Sequence, residues 1–191
     1  MRYKPDHLEQ SRSRILNALG RGFRSHGFAG IGVDGLARAA GVTSGAFYGH
    51  FSSKSDAFRE ALRSGLMELL GGLKTIQKQH GEDWVEPFVT FYLGVKRTCD
   101  LAETCTLPTL SAEVERCDAG TRAMYEEELE CLADAVADGF SWLEEGIRKE
   151  RAWAFLSLLA GGLTISRAVE SKSSSDEIAT AIIAAAVQLS R

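Results

Sequence analysis

Read for spacing alone, the 191 residues of this chain resolve into a succession of helices. Leu8, Ile15, Leu19 and Phe23 recur at helical intervals and predict a helix over about 7–25, after a frayed start at residues 1–6. His26-Gly27-Phe28-Ala29-Gly30 closes it with two glycines. Leu36, Ala37 and Ala40 give a short second helix an apolar face, and Gly41, free to take positive φ, ends it. Val42 plugs the angle to a third short helix, which Thr43 or Ser44 caps. On that helix Ala46, Phe47 and Phe51 face inward, leaving Ser44, Gly45, Tyr48 and His50 outward.

Ser53 with Asp56 fits a capping box, and Phe58, Ala61, Leu62, Gly65, Leu66, Leu69, Leu70 and Leu73 follow it on one stripe. That helix runs to about Lys78, roughly 35–40 Å of rod. His80-Gly81-Glu82-Asp83 is the candidate joint. Trp84, Phe88, Phe91, Tyr92, Val95 and Cys99 then mark a further amphipathic helix with Pro87 in its first turn. Tyr125, Leu129, Leu132, Val136, Phe140, Leu143 and Ile147 trace one long helix with an acidic outer face. Residues 152–169 read as a helix apolar nearly all round, which has to be covered on both sides. Gly161-Gly162 in its middle suits a close approach by another backbone. After the Ser-rich loop 171–175, Ser174 and Glu177 cap a last helix reaching about Leu189.

Composition refines this picture mainly through charge. The net charge is −4, which by itself argues against a polyanionic partner. Residues 1–54, however, carry 8 Lys/Arg against 3 Asp/Glu, a net of +5, and residues 55–191 carry 14 against 23, a net of −9. A basic head on an acidic body points one end of the molecule at a polyanion. The N-terminus has no apolar signal core, and the longest uncharged run, Ala152 to Ser166, is shorter than a membrane span needs. A cytoplasmic location, with no membrane partner, is the expectation. The four cysteines, at 99, 105, 117 and 131, lack zinc-site spacing and read as free thiols.

The residues Leu36-Ala37, Ala40-Gly41-Val42, Ser44-Gly45-Ala46-Phe47-Tyr48-Gly49-His50-Phe51 and Lys54 form a pattern that resembles the helix-turn-helix motif of TetR-family transcriptional regulators. Cys105-x-Leu107-x-x-Leu110-x-x-Glu113-Val114 is similar to a segment of one TetR subgroup. The resemblance implies an all-α fold with a DNA-binding domain over residues 1–53 and a ligand-binding and dimerisation domain over 54–191. It implies phosphate contacts from Tyr48, His50 and Lys54, with Tyr48 and His50 near base edges, and base-facing positions at Ser44 and Gly45. Thr43 belongs to the same DNA-binding set, and Arg38 joins it by exposure alone. It also implies a homodimer through the last two helices, a palindromic duplex operator, and a body pocket for a small-molecule effector. Trp84, Phe88, Phe91, Tyr92, Phe140 and Trp142 are available to line that pocket, although aromatics at helical spacing also serve as plain core.

The sequence departs from the family in two places. Ile31-Gly32 replaces the usual hydroxyl pair before the second helix, leaving a weaker cap, and Gly35 weakens that helix by about 1 kcal/mol. Ser11, Arg12 and Arg14 lie off the first helix's apolar stripe, within reach of phosphate or simply as a solvated face. Cys99 and Cys105 flank a break where Lys96 or Arg97 could activate a thiol for redox or electrophile sensing; the alternative is small apolar filler. The four histidines, at 7, 26, 50 and 80, form no metal or triad spacing, and no glycine loop cradles a phosphate. Neither a cofactor nor an enzymatic activity is expected. The reading is a dimeric ligand-released repressor, with a thiol sensor or a helical adaptor that has lost DNA binding as the alternatives.

Overall fold

The computed structural model describes residues 5–191, and side-chain surroundings from Arg12 onward. The expected frayed start therefore falls partly outside the described residues, as do the side chains of Leu8 and Ser11. Among the described residues there is no strand. Helices α1 (Pro5–Gly30), α2 (Val33–Ala39), α3 (Ser44–His50) and α4 (Lys54–His80) come first. They are followed by α5 (Val85–Thr98), α6 (Thr106–Val114), α7 (Ala119–Gly139), α8 (Glu145–Ala168) and α9 (Lys172–Leu189). Short 3-10 turns at Gly81–Trp84 and Leu101–Glu103 lead into α5 and towards α6. No helix among the described residues is long and apolar enough to cross a membrane.

Two apolar cores share one rod. Ile15, Leu19 and Phe23 of α1 meet Leu36, Phe47, Phe51 and Phe58 in the head. The same cluster takes in Leu110 and Val114 of α6 and Met124 of α7. The body core gathers Trp84, Phe88, Phe140, Phe155, Leu159 and Leu163. Helix α4 gives Leu62 to the first core and Leu66 to the second, so one rigid element carries both. Its 27 residues make it about 40 Å long. Thr106 sits directly against Gly65 of α4, where any Cβ would collide with the threonine side chain.

Helix α1 is interrupted at Gly27, whose φ of 71° and ψ of 172° place it outside helical space. The sequence located that break through the glycine. A side chain there would also meet Glu113 Oε1 of α6 at 2.5 Å. The expected helix through Tyr125–Ile147 is corrected: α7 ends at Gly139 and α8 starts at Glu145. The stop comes from tertiary contacts. Trp84 Nε1 donates to the Gly139 carbonyl at 2.9 Å, and Phe140 turns fully into the core. Arg148 holds the turn by donating to the carbonyls of Leu143 and Ser141 at 2.8 and 2.6 Å. Helix α8 thus begins seven residues before the expected 152. The last helix is capped by Ser171, not Ser174, with the Ser174 N–H donating to its hydroxyl at 3.4 Å. Phe91 and Val95, placed on the apolar stripe of α5, instead face outward, 44% and 53% exposed. Gly162 faces Ile182 of α9, where a Cβ would meet side-chain carbons at 2.8 Å; Gly161 faces open space.

Candidate nucleic-acid interface

The head assembles from local rules. Gly32 starts α2 in extended backbone with no side-chain cap, as its lack of a hydroxyl requires. Gly41 takes φ of 68°, and the Val42 N–H then donates to the Ala37 carbonyl at 2.9 Å, reversing the chain. Thr43 caps α3 by accepting from the Ala46 N–H at 3.1 Å. The Ser44 hydroxyl is not turned outward as expected; it donates to Asp34 Oδ1 at 2.6 Å and locks the start of α3 to α2.

Phe47 and Phe51 bury one face of α3, their ring centroids 5.3 Å apart. Ala46 is exposed, contrary to the expectation that it faces inward. One residue is about 100° of helix, so a buried Phe47 turns its neighbour Ala46 away from the same surface. Tyr48 is 57% exposed and rests edge-on against Phe47 at 5.4 Å. Gly45 and Gly49 share that exposed side, and His50 is half-buried at the helix end. The result is a short helix with a rigid apolar back and one aromatic side chain on an otherwise low-relief front.

The flanking cations are fewer than the charge count implied. Arg12 pairs with Glu60 at 2.8 Å, Arg21 with Glu103, and Arg24 reaches into the body. Arg14 and Arg38 are exposed and make no ion pair among the described residues. Lys54 opens α4, half-buried, with Nζ 4.5 Å above the Phe28 ring. That contact holds the ammonium at the helix N-terminus, where α4's own dipole also favours an anion. Ser53 caps α4 at 3.0 Å. The return contact of the expected capping box is shifted by one residue: the Ser52 N–H, and not that of Ser53, donates to Asp56 at 2.9 Å. This bond, aided by the Ser52 hydroxyl, holds the Asp56 carboxyl below its usual range.

The expected pocket aromatics separate. Trp84 and Phe140 are fully buried, stacked at 5.5 Å, and line neither cleft of the body. Phe88, Phe91 and Tyr92 line a cleft of about 870 Å³ where α1, α4, α5 and the start of α6 meet. Phe91 and Trp142 line a second, more open hollow of about 1040 Å³ near the end of α9. Helix α1 also contributes Asn17, Arg21 and Arg24 to the first cleft, which its spacing did not signal. These residues are more than 60 positions from Phe88, and no spacing rule links them. Cys105 is buried, which pushes its thiol up and away from the reactive thiolate. Among the described residues no three His, Cys, Asp or Glu side chains gather as a metal would require.

A small helix-turn-helix head fused through a long helix to an all-helical body defines the class. Residues 15–61 match the family model described as bacterial regulatory proteins, tetR family. The AcrR HTH-type transcriptional regulator of Shigella flexneri is 42% identical over 52 residues, which is 27% of this chain. The matched part is about a quarter of that relative's length, 24%. Two solved structures share the whole fold. Reduced E. coli NemR has a TM-score of 0.78 at 18% identity, covering 94% of this chain and 97% of its own. A TetR-family transcriptional regulator of Cytophaga hutchinsonii has 0.77 at 17%, covering 94% of each. The head of the chain thus matches the tetR family model, and the fold as a whole is the one these structures share.

Proposed function

We propose that this protein is a homodimeric DNA-binding transcriptional regulator, a repressor in the cytoplasm whose hold on a palindromic duplex operator is released by a small-molecule effector. Residues 1–53 read the duplex and residues 54–191 dimerise and bind the effector. The observation that carries the reading is α3: Phe47 and Phe51 fix its back while Tyr48 stands exposed on its front. A short helix held this way fits a major groove. Tyr48, His50, Lys54 and Arg38 serve as phosphate contacts that set register. Thr43, Ser44 and Gly45 offer little hydrogen bonding to bases: the Thr43 hydroxyl caps α3, the Ser44 hydroxyl donates to Asp34, and Gly45 has no side chain. Operator choice therefore leans on duplex shape.

Dimerisation is supported by the outer side of α8, where Ala154, Ser157, Gly161, Thr164, Ile165 and Ala168 are exposed. Small residues flanking one bared isoleucine suit close packing of a second copy, joined by the exposed Ala181 and Ala184 of α9. The test is fluorescence anisotropy with duplex taken from upstream of the protein's own gene, at two salt concentrations. Affinity falls steeply with salt if phosphates are bound. Tyr48→Ala and Lys54→Ala weaken binding across sequences with fold and dimer intact, and Lys54→Ala lowers the salt slope by about one. Unchanged binding by both variants would overturn these assignments.

A further inference from the structure

The seam between head and body holds a cleft whose polar end is built unlike its walls. Arg24 of α1 crosses this seam. Its Nε donates to the Ala102 carbonyl at 2.7 Å and its Nη1 to Thr106 Oγ1 at 3.3 Å. Its Nη2 has no hydrogen-bond partner among the described residues, and no carboxylate pairs with the guanidinium there. Glu68 lies near enough to act on Arg24 electrostatically, yet the two form no ion pair. Lys96 lines the same cleft and donates only to the Glu103 carbonyl, at 3.0 Å, while the Glu103 carboxylate is taken by Arg21. Among the described residues, the unpaired charges lining the cleft are therefore Arg24, Lys96 and Glu68, an excess of one positive charge.

Two further features favour an anion at the same end. The Tyr92 hydroxyl is buried beside the Cys105 thiol, a weak acceptor, and makes no hydrogen bond of ordinary geometry among the described residues. A buried hydroxyl with no stronger acceptor than a thiol is poorly satisfied, and a carboxylate oxygen would satisfy it. Helix α6 starts at Thr106 with no side-chain cap from Cys105, and both residues line the cleft. The rest of the wall is apolar, with Leu69, Ile76, Phe88 and Phe91.

We infer that this cleft binds a small amphipathic carboxylate, its anionic end on Arg24 and the Tyr92 hydroxyl, its apolar body among Leu69, Ile76, Phe88 and Phe91. The inference rests on the regulator reading for its consequence but not for its chemistry. Arg24 uses the same guanidinium to tie α1 to Ala102 and Thr106. A carboxylate on the free Nη2 shares its guanidinium with that clasp, and if it binds one seating of the head on the body better than another, that difference couples ligand to duplex.

Calorimetry on the full chain without DNA compares phenylbutyrate with phenylbutanol and phenylbutylamine, which share a body and differ in charge. The carboxylate binds at least about tenfold more tightly than either. Arg24→Gln weakens it by about tenfold or more. Tyr92→Phe separates binding from packing, because affinity falls while thermal stability holds or rises as the poorly satisfied hydroxyl leaves the core. Glu68→Gln strengthens binding of a carboxylate and would weaken that of an ammonium. No heat with phenylbutyrate, equal affinity for all three probes, preference for the amine, or unaltered affinity in Tyr92→Phe overturns the site. Anisotropy of a labelled upstream duplex keeps the two ideas apart. Phenylbutyrate that binds without moving duplex affinity leaves the site standing and removes its regulatory role. Absence of any duplex binding, with the calorimetry as expected, leaves the site standing and removes the regulator reading.

Discussion

Gly65 and Gly162 are both helical glycines at close contacts, and each is fixed by a different partner. At Gly162 a Cβ would lie 2.8 Å from Ile182 Cγ1 and Cγ2. Overpacking a filled site costs about 1–3 kcal/mol, whereas replacing a helical glycine by alanine returns about 1 kcal/mol. Gly162→Ala is therefore expected to lower the melting temperature. Gly65→Ala is expected to cost more, because its Cβ would run into Thr106 itself, where α6 abuts α4. Thr106→Ala removes two of the three contacting atoms and restores part of that loss, a coupling that a double-mutant cycle in urea measures. Additive losses at the two positions would show that α6 does not press on α4. The glycine pair at 161–162 was legible as a close approach from composition alone. Which of the two faces the neighbouring helix was not, because that depends on the rotation of α8 against α9.

At the scale of elements, the head was legible and the α7–α8 turn was not. Thr43, Gly41, Ser53 and Phe47 act within a few residues of their partners, so spacing alone places α2, α3 and the start of α4. The break after Gly139 depends on Trp84, 55 positions away, and on Phe140 entering the core. The apolar repeat runs straight through it, since both sides of the turn need core residues. The seam cleft escaped for the same reason, since its polar end joins Arg24 to Tyr92 and Thr106 across three elements. A test of capping follows from Asp56, whose carboxyl is held below its usual range by the Ser52 N–H and hydroxyl. A depressed folded pKa adds stability above the unfolded value, near pH 4, that is lost as pH falls through the lowered folded value. Asp56→Asn should melt below the wild type at neutral pH, and the gap should close on the acid side. A gap that persists undiminished under acid would mean the carboxylate charge is not what holds the start of α4.

For the whole molecule, the decisive surface is the one that a single subunit leaves bare. Ile165 is 57% exposed on the outer side of α8, beside Gly161, which has nothing within 4 Å of its would-be Cβ. Neither residue is needed for the subunit core, so a polar replacement leaves helicity untouched. In a two-fold dimer the same patch meets itself, and Ile165→Glu places two carboxylates in one buried contact. An unpaired buried charge costs several kcal/mol, enough to dissociate subunits at micromolar concentration. Sedimentation of Ile165→Glu should show a single subunit with an unchanged circular dichroism spectrum. Duplex affinity should fall with it, because two α3 helices must be held about 34 Å apart to enter successive major grooves. A variant that stays dimeric would place the contact elsewhere, and α4, which carries Leu62 in one core and Leu66 in the other, would then transmit a different inter-head spacing.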